Sequence, residues 1–172
     1  MIFETERLRA RDWRPEDAEA AYGIYRDDDV VRVLGSVPQP VESMEAMRER
    51  VGRWIANRTD DGYGFWALET HEGTLVGATL VKPLPDAAEV EIGWHLGKAH
   101  WGRGYATESG TAAARYAFEH QGLDVVYAVV VRDNEPSLAV ARRLGMTYEG
   151  STDRYYGKEL ELFSLRTTKA PA

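Results

Sequence analysis

A glycine-rich segment at residues 94–108, WHLGKAHWGRGYATE, carries the residue types best suited to chemistry. Its flanks predict a strand before it and a helix after it, and Gly97, Gly102 and Gly104 lie between them. Backbone N–H groups of such a loop, together with the start of a helix, bind phosphate groups. Residues 92–107 also contain no Asp or Glu. The segment therefore predicts a site for a small anionic ligand.

Two common phosphate-binding signatures do not fit this segment. A Walker loop needs four residues between its first glycine and its Gly-Lys pair, followed by Ser or Thr, whereas Gly93–Ala99 has three and ends in alanine. A dinucleotide-binding loop needs a third glycine, which Gly102-x-Gly104-x-x-Thr107 lacks. It also needs an acid at the end of the next strand, and Asp124 precedes that strand.

The third interpretation is a pyrophosphate loop for an acyl carrier. Residues 101–106, WGRGYA, resemble the Q/R-x-x-G-x-G/A signature of the GNAT superfamily of acyl-CoA N-acyltransferases, with Trp101 at the first position. Three further segments resemble the same family in order along about 140 residues: TERL at 5–8, EIGW at 91–94, and NEPS at 134–137 followed by LGM at 144–146. Together they resemble its ribosomal-protein N-acetyltransferase-like branch.

The resemblance implies acetyl-CoA as co-substrate, held mostly by main-chain amides of the loop. The expected cofactor-binding residues are Trp94, His95, Leu96, Trp101, Gly102, Arg103, Gly104, Tyr105, Ala106, Thr107, Asn134 and Ser137. Lys98, Arg142 and Arg143 are further candidates for phosphate contacts, and a solvated helix surface is the alternative for the arginine pair. Asn134 has an alternative role as a helix N-cap, which is compatible with a contact to the pantetheine arm.

Acyl transfer from a thioester to an amine needs an amine that has lost its proton and a proton for the leaving thiolate. Glu91 is the candidate base, because partial burial before the loop would raise its pKa. Its alternatives are a solvated carboxylate, an electrostatic contact to the amine, or deprotonation through water. The resemblance points to Ser137 as the proton donor, against a first-turn serine bonded to the backbone. Tyr155 and Tyr156 are the fallback donors.

The composition excludes several function classes. With 21 Lys and Arg against 28 Asp and Glu, the net charge of −7 disfavours nucleic acid as the main partner. The absence of cysteine excludes a thiol nucleophile, Cys-ligated zinc and disulfides. His95 and His100 lack a third ligand at metal spacing, so we expect no metal. Without an apolar run near 20 residues or a signal peptide, we expect a cytoplasmic protein and no membrane contact.

The hydrophobic periodicity predicts an α/β (α+β) fold with a mixed, mostly antiparallel central sheet of about seven strands, flanked by about four helices. The predicted strands are Phe3–Asp12, Phe65–Thr70, Leu75–Leu80, Glu89–Leu96, Val125–Val131, Thr147–Arg154 and Glu161–Thr167. One predicted helix starts at Pro15, and three more span Met44–Asn57, Tyr105–Gln121 and Pro136–Leu144. We expect 125–131 to be buried on both faces, 27–29 to form a solvated turn, and one domain over 1–168 with a tail at 169–172.

These expectations combine into an acetyl-CoA-dependent N-acetyltransferase in which an amine attacks the thioester directly. The alternatives are an acyl-CoA sensor without turnover, a transferase of another acyl group such as succinyl, and a protein that recognises a basic peptide. The acceptor is open between a protein N-terminus and a small amine, with Trp94 and the 33–40 loop as candidates for its wall. A homodimer is one option for its assembly.

Overall fold

A single eight-stranded sheet runs through the computed structural model, which describes residues 1–34 and 39–168. The strands are β1 (Phe3–Glu4), β2 (Leu8–Arg11), β3 (Gly64–Thr70), β4 (Leu75–Pro83), β5 (Val90–Leu96), β6 (Val125–Val130), β7 (Thr147–Thr152) and β8 (Leu160–Arg166). The helices are α1 (Ala18–Tyr25), α2 (Asp28–Val31), α3 (Met44–Ala56), α4 (Tyr105–Glu119) and α5 (Glu135–Arg143). The strand order is β1-β2-β3-β4-β5-β6-β8-β7, and one parallel pair among antiparallel ones confirms the mixed, mostly antiparallel sheet.

Two local features give one more strand and one more helix than expected. The predicted strand Phe3–Asp12 is wrong in its middle, where Thr5 and Leu8 exchange hydrogen bonds and turn the chain between β1 and β2. The solvated turn predicted at residues 27–29 is also wrong. Asp27 instead accepts a hydrogen bond from the Asp29 N–H, at 2.9 Å, and caps the short helix α2.

The expectation that β6 is buried on both faces is wrong for one face. Val126, Ala128 and Val130 are buried, whereas the residues between them are only partly covered. The buried face packs against α4 and α5, whereas Tyr127 and Val129 on the other face pack with Leu84, Tyr155 and Leu162, none of which lies in a helix. Apolar side chains on both faces therefore did not indicate equal burial on both faces.

Apolar cores lie on both faces of the sheet. Trp66 of β3 belongs to a cluster with residues of α4 and α5, including Ala113 and Ala141. The next residue along the strand, Ala67, belongs to a cluster with α1 and α3, including Met47. Since successive side chains of a strand point to opposite faces, helices cover both sides of the sheet.

The join between β5 and β6 is the feature that positions the candidate site. These strands pair in parallel at one register position, Glu91 opposite Tyr127, whereas all other neighbouring strands pair antiparallel. The carboxyl end of β5, from Gly93 to Leu96, pairs with β4 only. α4 makes the crossover between the two strands, so its first turn lies at this open edge.

Two expectations concern features beyond these elements. Among the residues that the structure describes, no helix combines the length and the hydropathy needed to cross a bilayer. The tail predicted at 169–172 lies outside the described residues.

Candidate active site

A cavity of about 900 Å³ opens where β5 ends, between the first turn of α4 and the start of α5. Ten of the expected cofactor-binding residues line it: Trp94, Leu96, Trp101, Gly102, Gly104, Tyr105, Ala106, Thr107, Asn134 and Ser137. A cavity of this size is in the upper part of the range for small-molecule sites. The structure thus brings the glycine loop and the 134–137 segment to one place, although about 30 residues separate them in sequence.

The glycine loop has a backbone that only glycine adopts without strain. Gly102 has a φ of +73° and Gly104 has a φ of +80°, and Gly104 precedes the first residue of α4. Within the part of the chain that the structure describes, no side chain caps α4, so the N–H groups of its first turn are left without a capping partner there. They lie at the edge of the large cavity, where the helix dipole favours an anion.

The 5–8 segment fastens this loop to the edge of the sheet. The Arg7 backbone N–H and the Thr5 hydroxyl both donate to Glu108 Oε1, at 2.9 and 2.6 Å. The Arg7 guanidinium pairs with Glu108 Oε2 and also donates to the Arg103 carbonyl oxygen, at 2.9 Å. The motif resemblance included residues 5–8 but assigned them no role, because their partners lie about 100 positions away.

Two expected cofactor-binding residues lie outside the lining of the large cavity. His95 points to the opposite face of β5, where its Nδ1 lies 3.2 Å from the Tyr25 hydroxyl. Complete burial lowers the pKa of His95 to about 3, so the ring is neutral near pH 7. Arg103 contributes its carbonyl to the Arg7 contact.

Of the further candidates for phosphate contacts, one lines the large cavity and two form ion pairs on the surface. Arg143 lines the large cavity. Lys98 pairs with Asp29 at 2.6 Å, and Arg142 pairs with Glu135 at 2.6 Å, all on exposed surface. Asp29 itself lines the cavity, so the Lys98 ammonium remains close to its mouth.

Ser137 has a hydroxyl whose acceptor positions are occupied. The Asn134 side-chain amide donates to Ser137 Oγ at 2.9 Å, and the Trp94 indole donates to it at 3.3 Å. Asn134 Oδ1 also accepts from the Ser137 backbone N–H at 3.2 Å, so Asn134 is the N-cap of α5 as well. Since a serine hydroxyl has two lone pairs and one hydrogen, the Ser137 hydrogen is left to donate to a ligand.

Trp94 is held in place by α4. A Cβ added to Gly110 would lie 3.1 Å from the Trp94 ring and 3.0 Å from Leu144. That spacing is tighter than ordinary van der Waals contact, so glycine lets α4 pack close to the tryptophan. The indole N–H is thereby directed towards Ser137.

Glu91 is a buried carboxylate with two partners on the other face of β5. Its residue is 5% exposed, its Oε1 lies 3.5 Å from Lys82 Nζ, and the Tyr156 hydroxyl donates to the same oxygen. Burial raises the pKa of Glu91, and Lys82 and Tyr156 partly oppose this rise. Tyr156 has a φ of +57°, a left-handed conformation that turns the hairpin tip towards Glu91. Tyr155 instead donates to Glu89, at 3.3 Å.

A second cavity of about 50 Å³ connects these groups. Glu91, Tyr156, His95 and Ser137 all line it. It also shares Trp94, Asn134, Ser137, Val33 and Leu34 with the large cavity. A carboxylate of raised pKa and a hydroxyl with a free hydrogen therefore face one small space at the end of the large one.

Two other expectations bear on the lining of this site. Val33 and Leu34 of the loop predicted at 33–40 line both cavities, and residues 35–38 lie outside the described ones. Within residues 1–34 and 39–168, no group of three His, Asp or Glu side chains is arranged to hold a metal ion.

Comparison with known proteins agrees with this geometry. Residues 7–147 match the family model described as an acetyltransferase (GNAT) domain. The chain is 30% identical over 159 residues to an uncharacterized N-acetyltransferase, YoaA, from Bacillus subtilis (strain 168), with 90% of this chain and 87% of that protein covered.

Solved structures share the same fold. A GNAT-family acetyltransferase from Bacillus anthracis has a TM-score of 0.79 at 23% identity, covering 95% of this chain and 96% of that one. RimL, a ribosomal L7/L12 alpha-N-protein acetyltransferase solved in complex with coenzyme A, has a TM-score of 0.75 at 19% identity, covering 96% and 97%.

Proposed function

Because the chain belongs to the GNAT acetyltransferase family, we propose that it transfers an acetyl group from acetyl-CoA to a primary amine. The amine attacks the thioester directly while both substrates are bound. The observation that carries this proposal is the meeting of Glu91 and Ser137 at one small cavity, at the end of the large cavity that the glycine loop borders.

The large cavity binds acetyl-CoA. Its pyrophosphate lies against the N–H groups of Gly102, Gly104 and the first turn of α4, and Arg143 adds a cation near the mouth. The acyl end lies towards Trp94 and Ser137, where the large cavity meets the small one. The Thr5 and Arg7 contacts to Glu108 keep the loop in place before the cofactor binds.

Glu91 accepts the proton that the amine must lose. A carboxylate with a raised pKa is a stronger base than an exposed one, and its effect is largest when that pKa approaches the working pH. Tyr156 holds the carboxylate by a hydrogen bond. Transfer takes place directly or through one water molecule in the small cavity.

Ser137 donates the proton that the thiolate needs. As the amine nitrogen bonds to the thioester carbonyl carbon, the carbon–sulfur bond breaks and its electron pair stays on sulfur. The Ser137 hydrogen is free to move to that sulfur, because Trp94 and Asn134 occupy both lone pairs of the hydroxyl. These two donors also stabilise negative charge on Ser137 Oγ during the transfer. Ser137 then regains a hydrogen as Glu91 releases the proton taken from the amine into the small cavity that both residues line.

The test follows free CoA thiol with acetyl-CoA and a panel of amines, and repeats it with succinyl-CoA. We expect amine-dependent thiol release with acetyl-CoA, and its loss in the double variant Glu91→Gln, Ser137→Ala. Tight acetyl-CoA binding without thiol release from any amine would identify a sensor instead. Faster thiol release from succinyl-CoA than from acetyl-CoA would identify succinyl, and not acetyl, as the transferred group.

A further inference from the structure

The short segment of residues 29–34 borders both cavities of the candidate site. Five of its residues line the large cavity: Asp29, Val30, Arg32, Val33 and Leu34. The last two also line the small cavity, where Glu91 and Ser137 meet. We call residues 29–34 the bridging segment, because it contacts both the loop after β5 and the loop after β6. It therefore lies beside the reacting groups as well as beside the cofactor.

Two contacts of different kinds hold the bridging segment. At its start, Asp29 pairs with Lys98 of the β5–α4 loop at 2.6 Å, and both side chains are about half exposed. Near its end, the Asn134 side-chain amide donates to the Val33 carbonyl oxygen at 3.1 Å. Asn134 is only 6% exposed. A buried hydrogen bond is protected from competing water, whereas an exposed ion pair contributes little. Asn134 is therefore the stronger of the two contacts.

The side-chain amide of Asn134 has no N–H left for a further partner. One of its two hydrogens goes to the Val33 carbonyl oxygen and the other to Ser137 Oγ, at 2.9 Å. The network also fixes which end of the amide is nitrogen, because Oδ1 accepts from the Ser137 backbone N–H while a carbonyl oxygen accepts at the other end. The donors of Asn134 are thus engaged with the protein itself and not directed to the cofactor.

These two bonds connect the bridging segment to the proposed acid through a single nitrogen atom. Neither the Val33 carbonyl nor the Ser137 hydroxyl shifts far without losing its bond to Asn134. Direct attack on a thioester needs the reacting atoms about 3–3.5 Å apart, and a displacement of about 1 Å costs roughly 10²-fold in rate. A fixed spacing between a wall of the small cavity and the hydroxyl that protonates the sulfur therefore bears on the rate.

Resting on the proposed function, we propose that Asn134 is a positioning residue that holds the bridging segment, as a wall of the acceptor site, at a fixed distance from Ser137. It acts on the amine through the Val33 carbonyl and on the leaving thiolate through Ser137 Oγ. Its third contact, the cap of α5, is made through Oδ1 and not through the amide nitrogen. A substitution that keeps the cap therefore separates positioning from helix stability.

Asn134→Ser makes this separation. Serine is as good an N-cap as asparagine, but its side chain is too short to reach the Val33 carbonyl, so the thermal midpoint falls by only about 2–4 °C. Kinetics use acetyl-CoA and the amine of the panel that releases thiol fastest. We expect KM for the amine to rise about 5-fold and kcat to fall about 5-fold, each from the loss of one hydrogen bond. Asn134→Asp also keeps the cap and lacks the N–H groups, and it is the second variant with the same expectation for KM.

The same substitution in a Ser137→Ala background shows which contact carries each effect. There, Asn134→Ser no longer changes kcat, because the hydroxyl is absent, whereas the rise in KM persists through Val33. Loss of the KM effect in that background would limit Asn134 to orienting Ser137 and overturn the contact with the acceptor wall. Acetyl-CoA affinity, measured by calorimetry, changes by less than about 2-fold. A loss as large as the rise in KM would make Asn134 a cofactor contact and also overturn the proposal.

Hydrogen exchange tests the Val33 contact without turnover. Mass spectrometry follows exchange of the backbone amides in peptides that cover residues 29–34, with CoA bound. We expect about 5-fold faster exchange in Asn134→Ser and no change in the matched control Ser137→Ala, which keeps the bond to Val33. Unchanged exchange in Asn134→Ser would refute the proposal. Faster exchange in Asn134→Ser alone, without thiol release from any amine, supports the hold of Asn134 on the segment and refutes the proposed function.

Discussion

The indole N–H of Trp94 donates a hydrogen bond to Ser137 Oγ at 3.3 Å. Trp94 belongs to β5 and Ser137 to the first turn of α5, so this contact joins the two elements that border the open edge of the sheet. It fixes the serine oxygen as an acceptor and leaves its hydrogen directed elsewhere.

Ser137→Ala tests whether that hydrogen reaches the sulfur. The Ser137 backbone N–H keeps its bond to Asn134 Oδ1 in the variant, but the Trp94 indole N–H loses its acceptor. We therefore expect a loss of stability of about 1 kcal/mol and little change in acetyl-CoA affinity. Loss of a general acid lowers kcat by about 10²-fold. Steady-state kinetics with acetyl-CoA and with an acetyl ester of a more acidic thiol check this, because a more acidic leaving thiol needs less protonation. A full kcat, or a loss that the second donor does not rescue, would contradict proton donation by Ser137 and make the fallback donors Tyr155 and Tyr156 the next residues to test.

Gly102→Ala tests the phosphate-binding loop. A side chain at a φ of +73° strains the backbone and extends into the cavity lining, so acetyl-CoA affinity falls. Gly73→Ala is the matched control: Gly73 has a φ of +87°, and a Cβ there also meets no atom within 4 Å. Both variants lose about 1 kcal/mol of stability, and calorimetric titration distinguishes them. Equal acetyl-CoA affinities in the two variants would show that the pyrophosphate does not bind at this loop.

Glu91→Gln tests the base. Since burial raises the pKa of Glu91, kcat increases with pH as this carboxyl loses its proton. In the Glu91→Gln variant, the rising limb of the plot of kcat against pH moves to the higher pH at which the amine itself deprotonates. At neutral pH, kcat falls by about 10²-fold. Glu89→Gln is the control, because hydrogen bonding lowers the pKa of Glu89 and it lies outside the small cavity. A raised KM with a normal kcat would make Glu91 an acceptor-binding charge instead.

His95→Phe tests the buried neutral imidazole. Because the folded protein lowers the pKa of His95 from 6.5 to about 3, the unfolded chain binds more protons below pH 6.5. Above pH 6.5, His95 therefore does not lower the free energy of unfolding. Below pH 6.5, the free energy of unfolding falls as the pH is lowered towards 3. The loss between pH 7 and pH 5 is about 2 kcal/mol, from about 1.4 kcal/mol per pH unit. Urea unfolding at both pH values should show a smaller pH dependence in the variant, and an equal dependence would contradict a neutral His95.

The sequence by itself determined the chemistry that is local in the chain. Gly102 and Gly104 indicated a backbone that other residues resist, Asn134 indicated a cap three residues before Ser137, and the order of motifs indicated the family. The alternation of side chains along β5 could also have shown that the expected cofactor-binding residues of this strand do not share one face. It places His95 with Glu91 on one face and Trp94 with Leu96 on the other, because successive strand side chains point to opposite faces.

The tertiary structure alone decided which distant groups meet. Lys82, Glu91 and Tyr156 converge because β4 pairs with β5 and the tip of the β7–β8 hairpin folds over them, and no sequence spacing encodes that contact. The same holds for Glu108, which the 5–8 segment binds across about 100 residues. Burial, and with it the pKa of Glu91 and His95, depends on these packed neighbours, since only the folded chain removes water from a side chain.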